Sequence, residues 1–208
     1  SSLQIVLGQT HPDTLGAMDS LANIAAARND FSRALEQYLE ILKLKEQALG
    51  SMHPETLNTL KATAVIYRKL DMLEEAKKAQ YMVYQRLQEK YGHEHPETLR
   101  SMNELADLHL ELGEEANAFS ISEQALKIEL DIMGEKDPMT LNTMFRIGKL
   151  HYLADRTDEA MEILGGTLSK QEKLLGFDNA EATLTRDLLN RILGEQATVI
   201  KVTEDNED

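Results

Sequence analysis

Cysteine is absent from the 208 residues, which removes disulfides, thiolate nucleophiles and Cys-ligated zinc and fits a reducing compartment. Tryptophan is also missing, aromatics reach only 5%, and there are four prolines. Ala, Leu, Glu, Lys and Met fill the space left, so helix formers dominate and the fold class expected is all-α. No apolar run approaches the ~20 residues needed to span a bilayer. The start, Ser-Ser-Leu-Gln, has neither a charged n-region nor a long apolar h-region, which excludes a signal peptide, and it lacks an initiator Met, as a fragment or processed form would. No Asn-x-Ser/Thr sequon occurs. A cytoplasmic location is the resulting expectation. Positive charge is scarce: the net charge of −14 excludes nucleic acid and anionic membrane as natural partners, since both require a cationic surface.

What is present is a repeat. The segments LGQTHPDTL (7–15), LGSMHPETL (49–57), YGHEHPETL (91–99) and MGEKDPMTL (133–141) are plainly related, and LGFDNAEATL (175–184) is a degraded, longer fifth. Their glycines, Gly8, Gly50, Gly92, Gly134 and Gly176, each stand 42 residues after the last. Glycine ends a helix where the chain needs a positive φ. His11, His53, His95, Asp137 and Asn179 then take the N-cap, and Pro follows four of them at the first helical position, where its missing N–H costs nothing. Asp13, Glu55 and Glu97 favour the positive end of the helix dipole.

A second break falls inside each unit, at Asn29-Asp30, Leu70-Asp71, Gly113 and Asp155-Arg156, so each unit is a helical hairpin. In the first, helix A covers about 12–28 and helix B about 31–49. Small residues recur at Ala22, Ala64, Ala106 and Gly148 on helix A and at Ala34, Ala76, Ala118 and Ala160 on helix B, letting the pair approach at or below the usual ~8–10 Å. Met18, Leu60, Met102 and Met144, with Leu21, Leu105 and Ile147, complete a stripe of helical period that marks the core; Thr63 interrupts it.

This pattern resembles the tetratricopeptide repeat, in a 42-residue form like that of kinesin light chains, and the L-G-x-x-H-P-[DE]-T-L connector also looks like the arrays of fungal and bacterial nucleotide-binding receptor NTPases. The resemblance implies a right-handed superhelical solenoid of antiparallel helix pairs, about four hairpins plus a C-terminal helix. Units are expected near 8–49, 50–91, 92–133 and 134–175, with a partial fifth at 176–193, the whole forming one repeat domain over 1–193. Residues 194–208 read as an acidic tail whose Val199, Ile200 and Val202 are apolar enough to dock. Residues 1–7 align with 43–49, the end of a helix B, as expected of a piece cut from a longer array.

Catalytic chemistry has no foothold. There is no G-x-S-x-G elbow, no Gly-rich phosphate loop and no HExxH, and the acidic residues fall at the spacing of solvated helix faces. His11, His53 and His95 lie one repeat apart, roughly 10 Å along a normal stack, too far to share a zinc ion. His109 and His151 occupy the position of Tyr67 and read as packing residues. Neither an enzyme activity, a cofactor nor a metal is expected.

The resemblance further implies that helix A lines an inner groove. Carried onto this chain, the groove face takes in Gly16, Asp19, Asn23, Ala26 and Ala27, then Val65 and Lys69, then Asp107, Leu110, Glu111 and Leu153, together with nine residues expected to contact a peptide. Those nine are Asn58, Lys61, Arg68, Arg100, Asn103, Asn142, Phe145, Lys149 and Tyr152. Five cations against three acids make that face net positive in an acidic chain. Asn satisfies both backbone groups of an extended peptide, Arg and Lys pair with carboxylates, and Phe145 and Tyr152 supply an anchor. The function expected is a protein–protein interaction module, an adaptor or scaffold gripping a protein or peptide segment that is acidic and partly aromatic. Two alternatives stand beside it: a regulatory array of a larger signalling NTPase, and a scaffold that self-associates edge to edge.

Overall fold

The computed structural model describes residues 8–204, with the backbone alone for 198–204. Among these residues there are nine helices and no strand. Backbone contacts gather into two compact units, Ser1–Glu114 and Glu115–Asp208. The first holds α1 (Pro12–Ala27), α2 (Phe31–Leu49), α3 (Pro54–Lys69), α4 (Leu73–Tyr91) and α5 (Pro96–Glu111). The second holds α6 (Glu115–Ile132), α7 (Pro138–Leu153), α8 (Thr157–Leu175) and α9 (Ala180–Glu204). The odd-numbered helices are the A helices of the repeat and the even-numbered ones the B helices. The chain is an all-α array of helical repeats.

Local chemistry places the boundaries where the sequence reading put them. His11, His53 and His95 accept through Nδ1 from the amides of Asp13, Glu55 and Glu97 at 3.2, 3.3 and 3.2 Å. Asp137 caps α7 by accepting from Met139 N at 2.8 Å, and Asn179 accepts from Glu181 N at the same distance. At Gly50 the backbone has φ 89° and ψ 161°, a region open essentially to glycine alone. The bends inside the hairpins also keep the 42-residue register: Asn29, Asp71 and Asp155 take φ of 61, 59 and 57°. Asn and Asp tolerate that left-handed turn better than other side-chain-bearing residues because their short polar groups bond locally.

Packing follows the small-residue stripe. Ala22, Ala34, Ala76, Ala106, Ala118 and Ala160 are fully buried and Ala64 nearly so. In the first unit Ala22, Ala25, Ala34, Tyr38, Ile41 and Ile66 form one cluster, and Leu57, Leu60, Ala64, Ala79, Val83 and Leu87 a second. In the second unit Ala160, Leu164 and Ile192 are joined by Phe145, Tyr152, Met161, Leu188 and Leu189. Thr63 fits the core because its hydroxyl donates to the Thr59 carbonyl of its own helix at 2.8 Å. Leu21 departs from the expected core: it is 51% exposed, whereas Leu105 and Ile147 are buried. Those two lie on helices preceded by a B helix, and among the described residues α1 has none before it.

The C-terminal helix also differs from expectation. It was read as closing near residue 193, and α9 runs on to Glu204, through most of the segment read as an acidic tail. Residues 1–7 and 205–208, and the side chains of Val199, Ile200 and Val202, lie outside what is described.

Candidate functional site: the A-helix face

Asp19, Asn23, Asn58 and Thr59 line a cavity of about 220 Å³ between α1 and α3, floored by Tyr38 and Lys45 of α2. Lys45 is 2% exposed, and its Nζ donates to Asp19 at 2.5 Å, to Thr59 Oγ1 at 3.1 Å and to the Glu55 carbonyl at 3.4 Å. The Tyr38 hydroxyl donates to Asn23 Oδ1 at 2.5 Å, and burial, helped by the nearby Asp19 charge, pushes its pKa above the usual phenol range. The polar groups on this floor therefore hold one another, while Asn58 stays exposed at the rim.

Along α3 and α5 the expected cations meet acids, Glu111 of the groove face itself and Glu97 outside it. Lys61 bonds Glu97, and Arg100 approaches the same carboxylate at 3.6 Å. The hydrogen bond from Lys61 is the main reason the Glu97 carboxyl titrates below its ordinary value. Arg68 grips Glu111 with two nitrogens, Nε at 2.9 Å. Gln80 of α4 donates to Glu104 at 2.8 Å, and burial raises that carboxyl's pKa. A second cavity, about 580 Å³, is lined by Val65, Arg68, Lys69, Asp71, Leu73 and Glu111. Four cations (Lys61, Arg68, Lys69, Arg100) thus share this stretch with five acids, Asp71, Glu97, Glu104, Asp107 and Glu111, and the expected positive excess is gone. Asn103 is 8% exposed, so its amide is turned into the protein.

In the second unit the same register bridges α7 to α9. Asn142 donates to Glu181 at 3.0 Å, and the Tyr152 hydroxyl donates to Glu195 at 2.8 Å, which raises the phenol's pKa. Phe145 packs with Tyr152 against the Ala160, Leu164 and Ile192 cluster. Lys149 is half-buried, with no ion pair among the described residues. Of the nine expected contacts, then, Asn58, Lys61, Arg68 and Arg100 are gathered on one face of the first unit. Asn142, Phe145 and Tyr152 join α7 to α9. A long side chain on one A helix reaches its neighbour across a normal helix spacing, so part of the expected groove chemistry serves repeat-to-repeat contact.

Sequence reasoning missed the buried polar seam. Positions 45, 129 and 171 are one register site on the B helices, and Lys45, Glu129 and Gln171 are 2, 0 and 1% exposed there. Gln171 accepts from the Thr185 hydroxyl at 2.7 Å, as Lys45 donates to Thr59. The detectable signal was a polar residue recurring on an otherwise apolar stripe. Among the described residues no group of three or more His, Asp or Glu is placed to hold a metal ion, and no helix is long and apolar enough to cross a membrane.

Family models described as tetratricopeptide repeat match residues 55–131 in one form and 14–55 and 140–181 in another. The chain belongs to the tetratricopeptide repeat family. A search of the curated proteins gives no match. Among solved structures, this tetratricopeptide array is similar to the nearly identical TPR-like repeats of a Podosopora anserina protein described as a kinesin light chain. Identity is 22%, with 95% of this chain and 93% of that one covered and a TM-score of 0.73. A variant of the same protein gives 0.75 at the same identity and coverage. BtubC (BKLC) from P. vanneervenii is 18% identical over 94% of this chain and 87% of that one, with a TM-score of 0.68. A Rap protein complexed with Competence and Sporulation Factor is 13% identical, covered over 97% of this chain and 58% of that one, with a TM-score of 0.64. These likenesses establish the kinesin-light-chain kind of fold. Tetratricopeptide repeats are a protein–protein interaction fold without catalytic machinery of their own.

Proposed function

We propose that this tetratricopeptide array is an adaptor or scaffold that holds an extended peptide segment of a partner along the A-helix face of its first unit. The observation that carries the reading is the pair of open cavities on that face, a polar one of about 220 Å³ with Asn58 at its rim and a mixed one of about 580 Å³ with Arg68, Lys69 and Val65 in its wall. An exposed Asn offers a donor and an acceptor to a peptide backbone in the spacing a single peptide group needs. Lys69 has no ion pair among the described residues and Arg100 is held only at 3.6 Å, so these two are the cations free to meet an acidic group of the ligand. Phe145 and Tyr152 are engaged with α9, so the bound segment needs no aromatic anchor there.

Reversing Lys61 or Arg68 would break bridges between helices as well as any ligand contact, so those variants do not separate binding from folding. The informative changes are Asn58→Ala and Lys69→Glu, both at exposed positions. A library of extended peptides is screened against the intact chain, and the selected sequences are measured by fluorescence polarisation. Asn58→Ala is expected to weaken binding by about tenfold, the loss of one or two backbone hydrogen bonds. Selected peptides indifferent to both changes, or no selected peptide at all, would refute the reading.

A further inference from the structure

Inside the second unit, the bend between α7 and α8 opens on a cavity of about 390 Å³, lined by Glu115, Ala116 and Phe119 of α6 and by Leu150, Ala154 and Arg156. In the first unit the same register is filled. Phe31, Leu35 and Leu70 pack there against the cluster that holds Ile66, and two repeats on these four positions are Glu115, Phe119, Ala154 and Leu150. The second unit thus has Glu115 and Ala154 where the first has an aromatic ring and a leucine, and Phe119 and Leu150 are left lining the gap. The charges differ as well. Within the first unit, Lys77 pairs with Glu74 at 3.1 Å and with Glu114 at 2.7 Å, and His109 also bonds Glu114. One repeat on, Phe119, Ala116, Arg156 and His151 stand in the places of Lys77, Glu74, Glu114 and His109. Arg156 lies over the Phe119 ring, 5.0 Å from its centroid, and has no ion pair among the described residues. His151 meets the same ring at 5.2 Å, and its buried Nδ1 has no hydrogen-bond partner. This bend keeps a cation over an apolar wall and lacks the carboxylate that its counterpart supplies.

We propose that this cavity is a docking site for the C-terminal residue of a partner protein, a large apolar side chain together with its terminal carboxylate. The side chain takes the volume that Phe31 and Leu70 occupy in the first unit, against Phe119 and Leu150. The carboxylate gives the Arg156 guanidinium, whose fork suits it, the anion that the fold does not. Because Arg156 sits directly on the Phe119 ring, the ligand must carry its charge and its apolar group close together. A C-terminal residue meets that need, since its carboxylate and its side chain leave the same Cα. Glu115 in the wall accepts from that residue's own N–H and opposes a second acid beside it. The site lies wholly in the second unit and is independent of the A-helix face of the first.

The test titrates the intact, isotope-labelled chain with the pentapeptide Gly-Ser-Gly-Ser-Phe and follows its amide resonances by NMR. Shifts at Phe119 and over 150–156 should saturate with millimolar peptide. Amidating the peptide's C-terminus should weaken binding about fivefold or more. Two variants restore what the first unit has, Ala154→Leu and Arg156→Met. Leu70 and Leu112 hold the register position of Ala154 with φ of −90 and −81° against its −89°, and Met72 holds that of Arg156, so the backbone accepts both. Ala154→Leu should abolish binding while the melting temperature holds or rises. Arg156→Met should bind the acid and the amide peptides alike. No saturable shift at millimolar peptide, equal binding of acid and amide by the parent chain, or undiminished binding by Ala154→Leu would overturn the proposal. So would free phenylalanine binding more tightly than the pentapeptide, since a small molecule would then be the occupant.

Discussion

At Gly148 α7 comes close against Leu164 of α8, and replacing it with alanine gives a sharp test of that packing. A Cβ built there lies 2.7 Å from both Cγ and Cδ2 of Leu164 and 3.5 Å from Cγ2 of Ile163. Leu164 is fully buried, and Cγ is the branch point of its side chain, so relief requires moving the whole group within a filled core. Overpacking of this kind costs about 1–3 kcal/mol. Alanine is favoured over glycine in a helix by about 1 kcal/mol, which partly offsets that cost. Gly166, in α8, isolates the second effect, since a Cβ there meets nothing within 4 Å. Gly166→Ala should therefore stabilise by about 1 kcal/mol, and Gly148→Ala should fall below it by about 1–3 kcal/mol. Urea denaturation followed by far-ultraviolet circular dichroism measures both. Leu164→Ala should remove the penalty of Gly148→Ala in a double-mutant cycle, with a coupling of about 1–3 kcal/mol. A Gly148→Ala protein as stable as Gly166→Ala would refute the close approach.

Three further outcomes are expected. Lys45→Met leaves the half-buried Asp19 carboxylate without its cation and should cost about 1–3 kcal/mol, most of it regained when Asp19→Asn is added; denaturant midpoints of the three proteins decide this. Ala64→Leu should destabilise by about 1–3 kcal/mol, while Leu at the exposed Lys78 is almost silent, and equal effects at the two sites would mean that the helix register is wrong. The His151 pKa is lowered, first by burial and then by Arg156, with Glu159 and Glu123 opposing. Its contribution to stability is thus full above the ordinary imidazole value and lost as pH falls through the lowered one. The parent chain should lose stability as pH falls through and below the ordinary imidazole range, and His151→Gln should flatten that slope.

The connector was legible because each of its residues answers to a local rule: glycine for a positive φ, histidine for the cap, proline for the first turn. The bends were less so, since Asn29, Asp71, Gly113 and Asp155 share a backbone conformation but not a side chain. The seam of Lys45, Glu129 and Gln171 was not read at all. Charged and amide residues at those positions look like a solvated face until the neighbouring repeat is in place. Leu21 failed in the opposite way, because helical periodicity identifies an apolar stripe and says nothing of whether a partner covers it. The groove residues were chosen by register alone, which takes no account of burial, and Asn103 is 8% exposed. Their acidic partners, Glu97 and Glu111, come from the next A helix, a distance in space that spacing along one helix does not reveal.

Those partners change what the A-helix face can recognise. An acidic peptide approaching Lys61 or Arg68 must displace Glu97 or Glu111, carboxylates fixed beside the cations by the fold itself. Each such exposed pair is worth under ~1 kcal/mol, so the exchange is easy, but it substitutes one carboxylate for another and gains almost nothing. The net positive face expected from the sequence would have drawn acidic ligands by charge and released them in salt. On the proposed peptide-binding reading, a face without positive excess would leave selectivity to directed hydrogen bonds and shape: Asn58 for the backbone, Lys69 for one placed acid, and the exposed Val65 for an apolar contact. Binding governed by those groups depends on where a ligand's polar atoms sit more than on how many charges it carries. The chain's −14 then works in the background, repelling acidic proteins at long range and leaving the choice of ligand to contact.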